Sequence, residues 1–233
     1  MKAIVNHIGI IMDGNRRYAK QKGMPSFWGH QQGAEKFRKV IEWLRDLNVK
    51  EATFYTFSMQ NFERSKEEVS YLFTLFEKEF GKFIKDPSEL KKHEVRIRFV
   101  GRLHLFPKEM QETMYELMKM TKDYSKHFIN FAIGYGGREE IVDAVKRVIE
   151  AVQNNDLSIE EVDEKKFANF LYLNSDPDFI IRTSGEMRTS NFLIWQSSYS
   201  EWFFLEKAWP EIEKGDIQNC ISDFQNRERR IGK

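Results

Sequence analysis

The chain carries a single cysteine, Cys220, in 233 residues. That excludes an intrachain disulfide framework and any cysteine-rich zinc site, and makes a reducing, cytoplasmic setting the expectation. Proline and glycine are sparse, at 5 and 13 residues, and scattered as punctuation. With no Pro/Gly/Ser linker, repeat or low-complexity tract, residues 1–233 read as one domain. Long apolar runs are missing too, since nothing approaches the ~18 residues of a membrane-spanning helix. The short stretch 8–12, preceded by Asn6 and His7, is too brief and interrupted for a signal-peptide core. Charge of one sign is absent: 37 Lys and Arg stand against 36 Asp and Glu. A net charge of +1 argues against a general nucleic-acid coat protein. Phenylalanine, by contrast, is abundant, with 20 residues beside 9 methionines, at a mean hydropathy of −0.60. Two readings follow, an aromatic core or an apolar cavity for a greasy ligand.

Short apolar runs at 8–12, 52–57, 95–100, 128–133, 179–181 and 202–205 alternate with longer segments of helical period. Ala34, Phe37, Val40, Ile41, Leu44 and Leu47 mark one helical face. Ser65 and Glu68 have capping-box spacing, ahead of Val69, Leu72, Phe73, Phe76 and Phe80. Pro107 opens a helix bearing Met110, Met114, Leu117 and Met118. Ile141, Val142, Val145, Val148, Ile149 and Val152 form another stripe, and Ser158–Glu161 caps a further helix. The last helix carries Ile217, Cys220, Ile221 and Phe224. Strict alternation predicts an α/β domain with a mainly parallel sheet of about six strands, covered on both faces. Uninterrupted apolar strands fit that arrangement. In such sheets ligands bind beyond the carboxyl ends of the strands.

Those ends are rich in arginine: Arg16 and Arg17 after the first strand, Arg64 after the second, Arg102 after the third, Arg138 after the fourth, Arg182 and Arg188 after the fifth. Planar guanidinium groups match phosphate oxygens, so a phosphorylated substrate is the expectation. Asp13 with Gly14 follows the first strand and could hold Mg²⁺, which favours one or two carboxylates together with substrate phosphates. A lone Asp there is otherwise a turn residue or a cap. His30, beside Gly29, is a candidate for a polar role. His93 and His127 read as surface or core residues. No GxxxxGK[ST], HExxH or CxxC is present, and Gly134-Tyr135-Gly136-Gly137 lacks the spacing of a dinucleotide fingerprint.

Four separated motifs, spanning residues 7 to 232, resemble those of the cis-prenyltransferases, nearest in type to undecaprenyl diphosphate synthase. They are His7-Ile-Gly-Ile-Ile-Met-Asp-Gly-Asn15, Gly29-His30, Phe57-Ser58 with Asn61-Phe62 and Arg64, and Ile181-Arg182-Thr183-Ser184-Gly185-Glu186 with Arg188 and Ser190-Asn191-Phe192. No aspartate-rich DDxxD box of the all-helical prenyl enzymes occurs. The resemblance implies that family's fold, with an apolar tunnel, and Mg²⁺-dependent condensation of isopentenyl diphosphate onto an allylic diphosphate primer such as farnesyl or geranylgeranyl diphosphate. The product would be a long Z-polyprenyl diphosphate.

By the same resemblance, Asp13 is the acid that holds Mg²⁺, with Glu201 completing the metal site. Gly14, Asn15, Arg16, Arg17 and His30 grip the allylic diphosphate, and Tyr18 lies beside the first isoprene units. Asn61 is the candidate for the proton-removal step, although a neutral amide suits positioning better than acting as a base. Ser58, Phe62 and Arg64 line the reacting centre, while Arg182, Arg188 and Ser190 bind the diphosphate of isopentenyl diphosphate. Arg230-Ile231-Gly232 resembles a C-terminal Arg-x-Gly that reaches the active site across a homodimer interface. Glu68 also matches a family position, but its capping spacing is a sufficient structural reason for it. Membrane contact would be peripheral and product-driven.

The chain departs from the family pattern around the primer. Ser26-Phe27-Trp28 precede Gly29 where many members carry arginine, and Arg16 replaces a glycine. Tyr18 replaces Trp, and Gln60, Phe62 and Ser65 stand where Glu, Trp and Pro are common. These changes bear on primer identity. Two other classes stay open: a non-catalytic partner subunit, which would lose the aspartate and phosphate arginines that are present here, and a nucleotide enzyme, which would need a signature that is missing.

Overall fold

The computed structural model describes residues 4–227. Six parallel strands, β1 (His7–Ile11), β2 (Glu51–Ser58), β3 (Val95–Val100), β4 (His127–Tyr135), β5 (Phe179–Arg182) and β6 (Glu201–Phe204), form one sheet in the order β3-β4-β2-β1-β5-β6. The helices are α1 (Asn15–Gln21), α2 (Ser26–Asp46), α3 (Lys66–Lys85), α4 (Ser88–Lys92), α5 (Lys108–Thr121), α6 (Gly137–Gln153), α7 (Glu164–Ala168) and α8 (Lys214–Asn226). The strands expected from apolar runs all form, with ends shifted by at most two residues. Ser158 and Glu161 do make a reciprocal cap, but over a single 3₁₀ turn, Ile159–Glu161, and the helix proper starts at Glu164.

The two faces of the sheet are covered unequally. Ile8 and Ile10 of β1, Phe54 of β2, Ile97 and Phe99 of β3 and Phe131 of β4 join Val40, Leu44, Leu72, Phe80, Met114, Ile217 and Phe224 in the larger core, under α2, α3, α5 and α8. The opposite face carries a smaller cluster, Ile11, Val100, Ala132, Tyr135, Ile180, Phe192 and Leu193. The α6 stripe is only half inward. Ala144 and Val148 are buried, whereas Val142, Val145 and Ile149 lie on the outer face.

Two features place the site. The chain leaves β1 toward β2 on one side and leaves β5 toward β6 on the other, so the loops diverge between β1 and β5, where such sheets leave a crevice. Ile11 pairs with Arg182 at that point. The pairing of β2 with β4 shifts register around Phe57 and Ser58, and an irregularity of this kind re-aims the residues at a strand end.

Candidate active site

Asp13 follows β1 directly, and its main chain is pinned from two sides. Its carbonyl accepts from Thr183 Oγ1 at 2.7 Å and from the Trp209 amide at 2.9 Å. Its carboxylate accepts from the Gly14 amide and from Arg182 Nη2, both at 2.8 Å. Arg182 is 3% exposed at its side chain and Asp13 is 36% exposed, so the guanidinium lies behind the carboxylate and the carboxylate faces outward. Arg182 Nη1 donates to Ser190 Oγ at 2.7 Å and to the Arg188 carbonyl at 2.5 Å. One buried arginine thus fixes Asp13, Ser190 and the loop that carries Arg188.

Glycine is needed where α1 leaves this point. Gly14 has φ +101, and a Cβ there would lie 2.8 Å from Ala208 Cβ. On α2, a Cβ at Gly29 would meet the Asn15 carbonyl at 2.1 Å, and one at Gly33 would meet Asn15 Oδ1 at 2.3 Å. The Gly29-x-x-x-Gly33 pair therefore lets α2 close onto the start of α1. That contact sets His30 beside the same crevice.

A second cluster faces Asp13 across the crevice. Glu68 accepts from Arg64 Nη1 at 2.9 Å, lies 3.3 Å from His30 Nε2 and pairs with Arg16 at 3.5 Å. Only half of the expected capping box forms. Ser65 Oγ accepts from the Glu68 amide at 3.2 Å, while the Glu68 carboxylate turns away to hold three basic side chains. Burial, reinforced by the Arg64 charge, lowers the His30 pKa against the opposing pull of Glu68. The imidazole is therefore neutral near pH 7 and can donate or accept. Asn61 Oδ1 accepts from the Ser58 amide at 3.0 Å and caps the turn Met59–Glu63. Its NH₂ is left to face the crevice, which suits positioning and not proton abstraction.

Below these groups the crevice deepens into a cavity of about 590 Å³. Asp13, Asn15, His30, Ser58, Asn61, Arg64, Arg182 and Ser190 line its mouth, and Phe37, Leu72, Leu75, Phe76, Phe80, Phe83 and Phe131 its depth. The phenylalanines divide between a cavity wall and a packed core. Phe76, Phe80 and Phe83 form the wall, while Phe57, Phe62, Phe73 and Phe106 pack ring on ring beside it.

Several expected residues lie elsewhere. Phe62 sits in that aromatic core, 4.9 Å from the Phe57 ring centroid, and not on the cavity wall. Tyr18 stacks on Trp28 at 5.4 Å. Arg17 Nη2 and Arg188 Nη1 both hold Glu186, the former at 2.5 Å, at the rim. Arginines do not converge from five loops. Arg102 grips Asp143 through two bonds of 2.9 Å; β3 is an edge strand, with β4, β2 and β1 between it and the β1–β5 crevice. Arg138 does not line the cavity either. The mouth is built from the loops after β1, β2 and β5.

Glu201 opens β6 at the amino end of the sheet and pairs with Arg227 at 2.7 Å. Asp13 lies beyond the carboxyl ends, about 16 Å further along the strand direction, so Glu201 does not complete a site with Asp13 within this chain. Arg230 and Gly232 fall outside the described residues. Glu68, whose spacing reads as a cap, and Glu186, present only within a motif, both hold basic side chains of the site. The signal available was the i, i+4 pairing of Arg64 with Glu68.

A divalent cation fits Asp13 in one way only. Among the described residues no three His, Cys, Asp or Glu side chains gather to hold a metal. A carboxylate offers about four acceptor positions, and hydrogen bonds to Asp13 occupy two of them. One exposed carboxylate among arginines suits Mg²⁺ shared with substrate phosphates, not an all-protein cage.

The chain is similar to known proteins in both sequence and fold. The sequence model described as putative undecaprenyl diphosphate synthase matches residues 11–232. A tritrans,polycis-undecaprenyl-diphosphate synthase (geranylgeranyl-diphosphate specific) of Methanocaldococcus jannaschii is 47% identical over 97% of this chain and 82% of its own length. The protein of the same name from Thermoplasma volcanium is 44% identical over 97% of this chain and 88% of its own. Among solved structures, lavandulyl diphosphate synthase from Lavandula x intermedia, in complex with dimethylallyl diphosphate, superposes with a TM-score of 0.91 at 30% identity, covering 98% of each chain. A probable undecaprenyl diphosphate synthase from Campylobacter jejuni gives a TM-score of 0.82 at 31% identity, over 99% of this chain and 100% of its own.

Proposed function

The chain belongs to the undecaprenyl diphosphate synthase family of cis-prenyltransferases, and we propose that it is a Mg²⁺-dependent homodimer that elongates geranylgeranyl diphosphate with isopentenyl diphosphate to a long Z-polyprenyl diphosphate. It is a transferase of prenyl groups. The observation that carries the reading is the polarity gradient of one cavity, with charged groups at the strand ends and phenylalanine between α2 and α3. A diphosphate head and a prenyl tail divide in the same way. The primer is chosen because the relatives from M. jannaschii and T. volcanium are geranylgeranyl-specific by name.

In this reading the allylic diphosphate sits between Asp13 and the His30–Arg64 cluster, with Asn15 and Arg16 beside it. Mg²⁺ on Asp13 and the phosphates would neutralise the charge that develops on the departing diphosphate. Arg182 acts from behind, holding the Asp13 carboxylate aimed through its Nη2 hydrogen bond. The single N–H of neutral His30, which points to Glu68 in this structure, turns to a phosphate oxygen when the diphosphate takes the place of that carboxylate, and adds no charge. Asn61 and Ser58 orient the second substrate, whose diphosphate is taken by Arg188 and Ser190. Glu186 holds Arg17 and Arg188 until phosphate oxygens replace its carboxylate. The proton lost in each condensation has a ready acceptor in the departing diphosphate.

For the homodimer, the supporting feature is the outer face of α6, where Val142, Val145 and Ile149 lie one above another at helical spacing. Three adjacent β-branched residues on one exposed face mark a surface that a second copy would cover. The C-terminal Arg230 and Gly232 would then serve the partner's site. A cytoplasmic location belongs to the same reading, as does peripheral membrane contact through the product. No described helix is long and apolar enough to cross a membrane. A non-catalytic partner subunit is disfavoured by the intact Asp13–Arg182–Ser190 arrangement.

The test is incorporation of labelled isopentenyl diphosphate by the purified protein with Mg²⁺. Geranyl, farnesyl and geranylgeranyl diphosphate are offered separately and the products sized. Long products from the C20 primer, abolished by EDTA and restored by Mg²⁺, are expected. Incorporation with none of the three would overturn the reading.

A further inference from the structure

The deep end of the cavity contains one pair of charges that the chemistry at the mouth does not use. Arg38 of α2 and Glu79 of α3 both line the cavity, and they are ion-paired across it. The walls around them are Phe37, Leu75, Phe80 and Phe83. The same two helices are also linked at the mouth, by His30 and Glu68. From Glu68 to Glu79 is eleven residues along α3, or about 16 Å at 1.5 Å per residue. An isoprene unit contributes four backbone bonds, about 5 Å at the ~1.2 Å per bond of an extended chain. The distance from the diphosphate mouth to the ion pair therefore holds about three units, and the tail of a four-unit primer already reaches the pair.

We propose that the Arg38–Glu79 ion pair is a latch across the lower end of the cavity, which the growing prenyl chain must part to lengthen further, and that it thereby governs product length. This rests on the prenyl-elongating reading above.

Two features make the pair releasable. Arg38 is 45% exposed against 19% for Glu79, so the guanidinium can swing into water when displaced. Glu79 is not then stranded in an apolar wall, because Lys82 Nζ already holds its other oxygen at 2.7 Å. Burial alone would raise the Glu79 pKa, but Lys82 and Arg38 more than offset it and the group stays ionised. The latch is thus electrostatic and partly open to solvent, which makes it sensitive to salt.

The experiment measures the distribution of product lengths from geranylgeranyl diphosphate in wild type, Arg38→Met and Glu79→Phe. The distribution is taken within each protein, so a change in overall rate does not move it. Arg38→Met keeps the stem and removes the charge, and its products should lengthen by at least one isoprene unit. Glu79→Phe fills the lower end, and its products should shorten. Raising salt from 0.1 to about 0.5 M, where the screening length falls to roughly half, should shift wild type toward Arg38→Met and leave that variant unmoved. A purely structural tether would lower thermal stability with an unchanged product distribution. Wild type that elongates, together with variants of identical product distribution, overturns the latch alone. Wild type that incorporates nothing overturns the elongating reading and the latch with it.

Discussion

The two ends of the cavity are built on different principles. At the mouth the central polar groups are fixed by something rigid: Asp13 by Thr183, Trp209 and the buried Arg182, and Asn61 by the Ser58 amide. Those residues sit at strand ends in a parallel sheet, where the backbone cannot shift without breaking its ladder. At the lower end the walls are helix side chains, and the closing contact is an ion pair that is half open to water. Bond making between two diphosphates needs atoms held to within a fraction of an ångström. Accommodating a lengthening hydrocarbon needs walls that can give. The molecule places the first task on strands and the second on helices.

The contrast can be broken most severely at the mouth. Asp13→Asn keeps a hydrogen bond to Arg182 but removes the negative charge, and should lower kcat by roughly 10³-fold, the scale for losing a group that acts on developing charge. Near-normal turnover in that variant would end the assignment. Next in size, Asp13→Ala or Arg182→Ala breaks the buried pair. Either should cost about 2 kcal/mol in urea unfolding, below the ~3–5 kcal/mol of a fully buried pair because Asp13 remains within reach of water. Glu79→Ala at the other end should change stability by less than ~1 kcal/mol, and equal losses at both ends would erase the distinction drawn here.

Smaller still, Arg188→Ala should raise KM for isopentenyl diphosphate about tenfold with kcat largely kept, as for one charge-assisted hydrogen bond of about 1.4 kcal/mol. An unchanged KM would remove Arg188 from that subsite. The mildest effect is on pH. Burial lowers the pKa of His7 and of His30 in the fold, so below about 6.5 the unfolded chain binds protons that the native state does not. Stability is therefore full above about pH 6.5 and declines as the pH falls through the window down to the lowered native values. His30→Gln should flatten part of that decline in chemical denaturation and leave the part owed to His7.

Much of this was legible in the sequence because sheet and helix periods are local. Strands at 95–100 and 179–181 needed only their apolar runs, and Asp13 stood out as the first carboxylate after the first strand. What could not be read depends on which strand ends adjoin. Arg102 and Arg182 have the same local context, an arginine just past an apolar strand, yet β3 lies at the sheet edge and β5 beside β1. The Glu68 amide does satisfy the cap, and spacing cannot show where its carboxylate turns. Glu201, assigned by resemblance, opens β6 at the end of the sheet away from Asp13. A motif match fixes position along the chain, not which end of the sheet a side chain occupies. Phe73 and Phe76 stand on one helical stripe, and only packing sends the first to the aromatic core and the second to the wall.

The most direct test is a crystal structure of the protein with Mg²⁺ and a non-reacting thio analogue of geranylgeranyl diphosphate. The account predicts the diphosphate within hydrogen-bond reach of His30 and Arg64, with the metal between it and Asp13. The tail should run between α2 and α3 past Leu72 and Phe76 to Arg38 and Glu79. A diphosphate bound away from Asp13, or a tail lying outside the α2–α3 cavity, would contradict it.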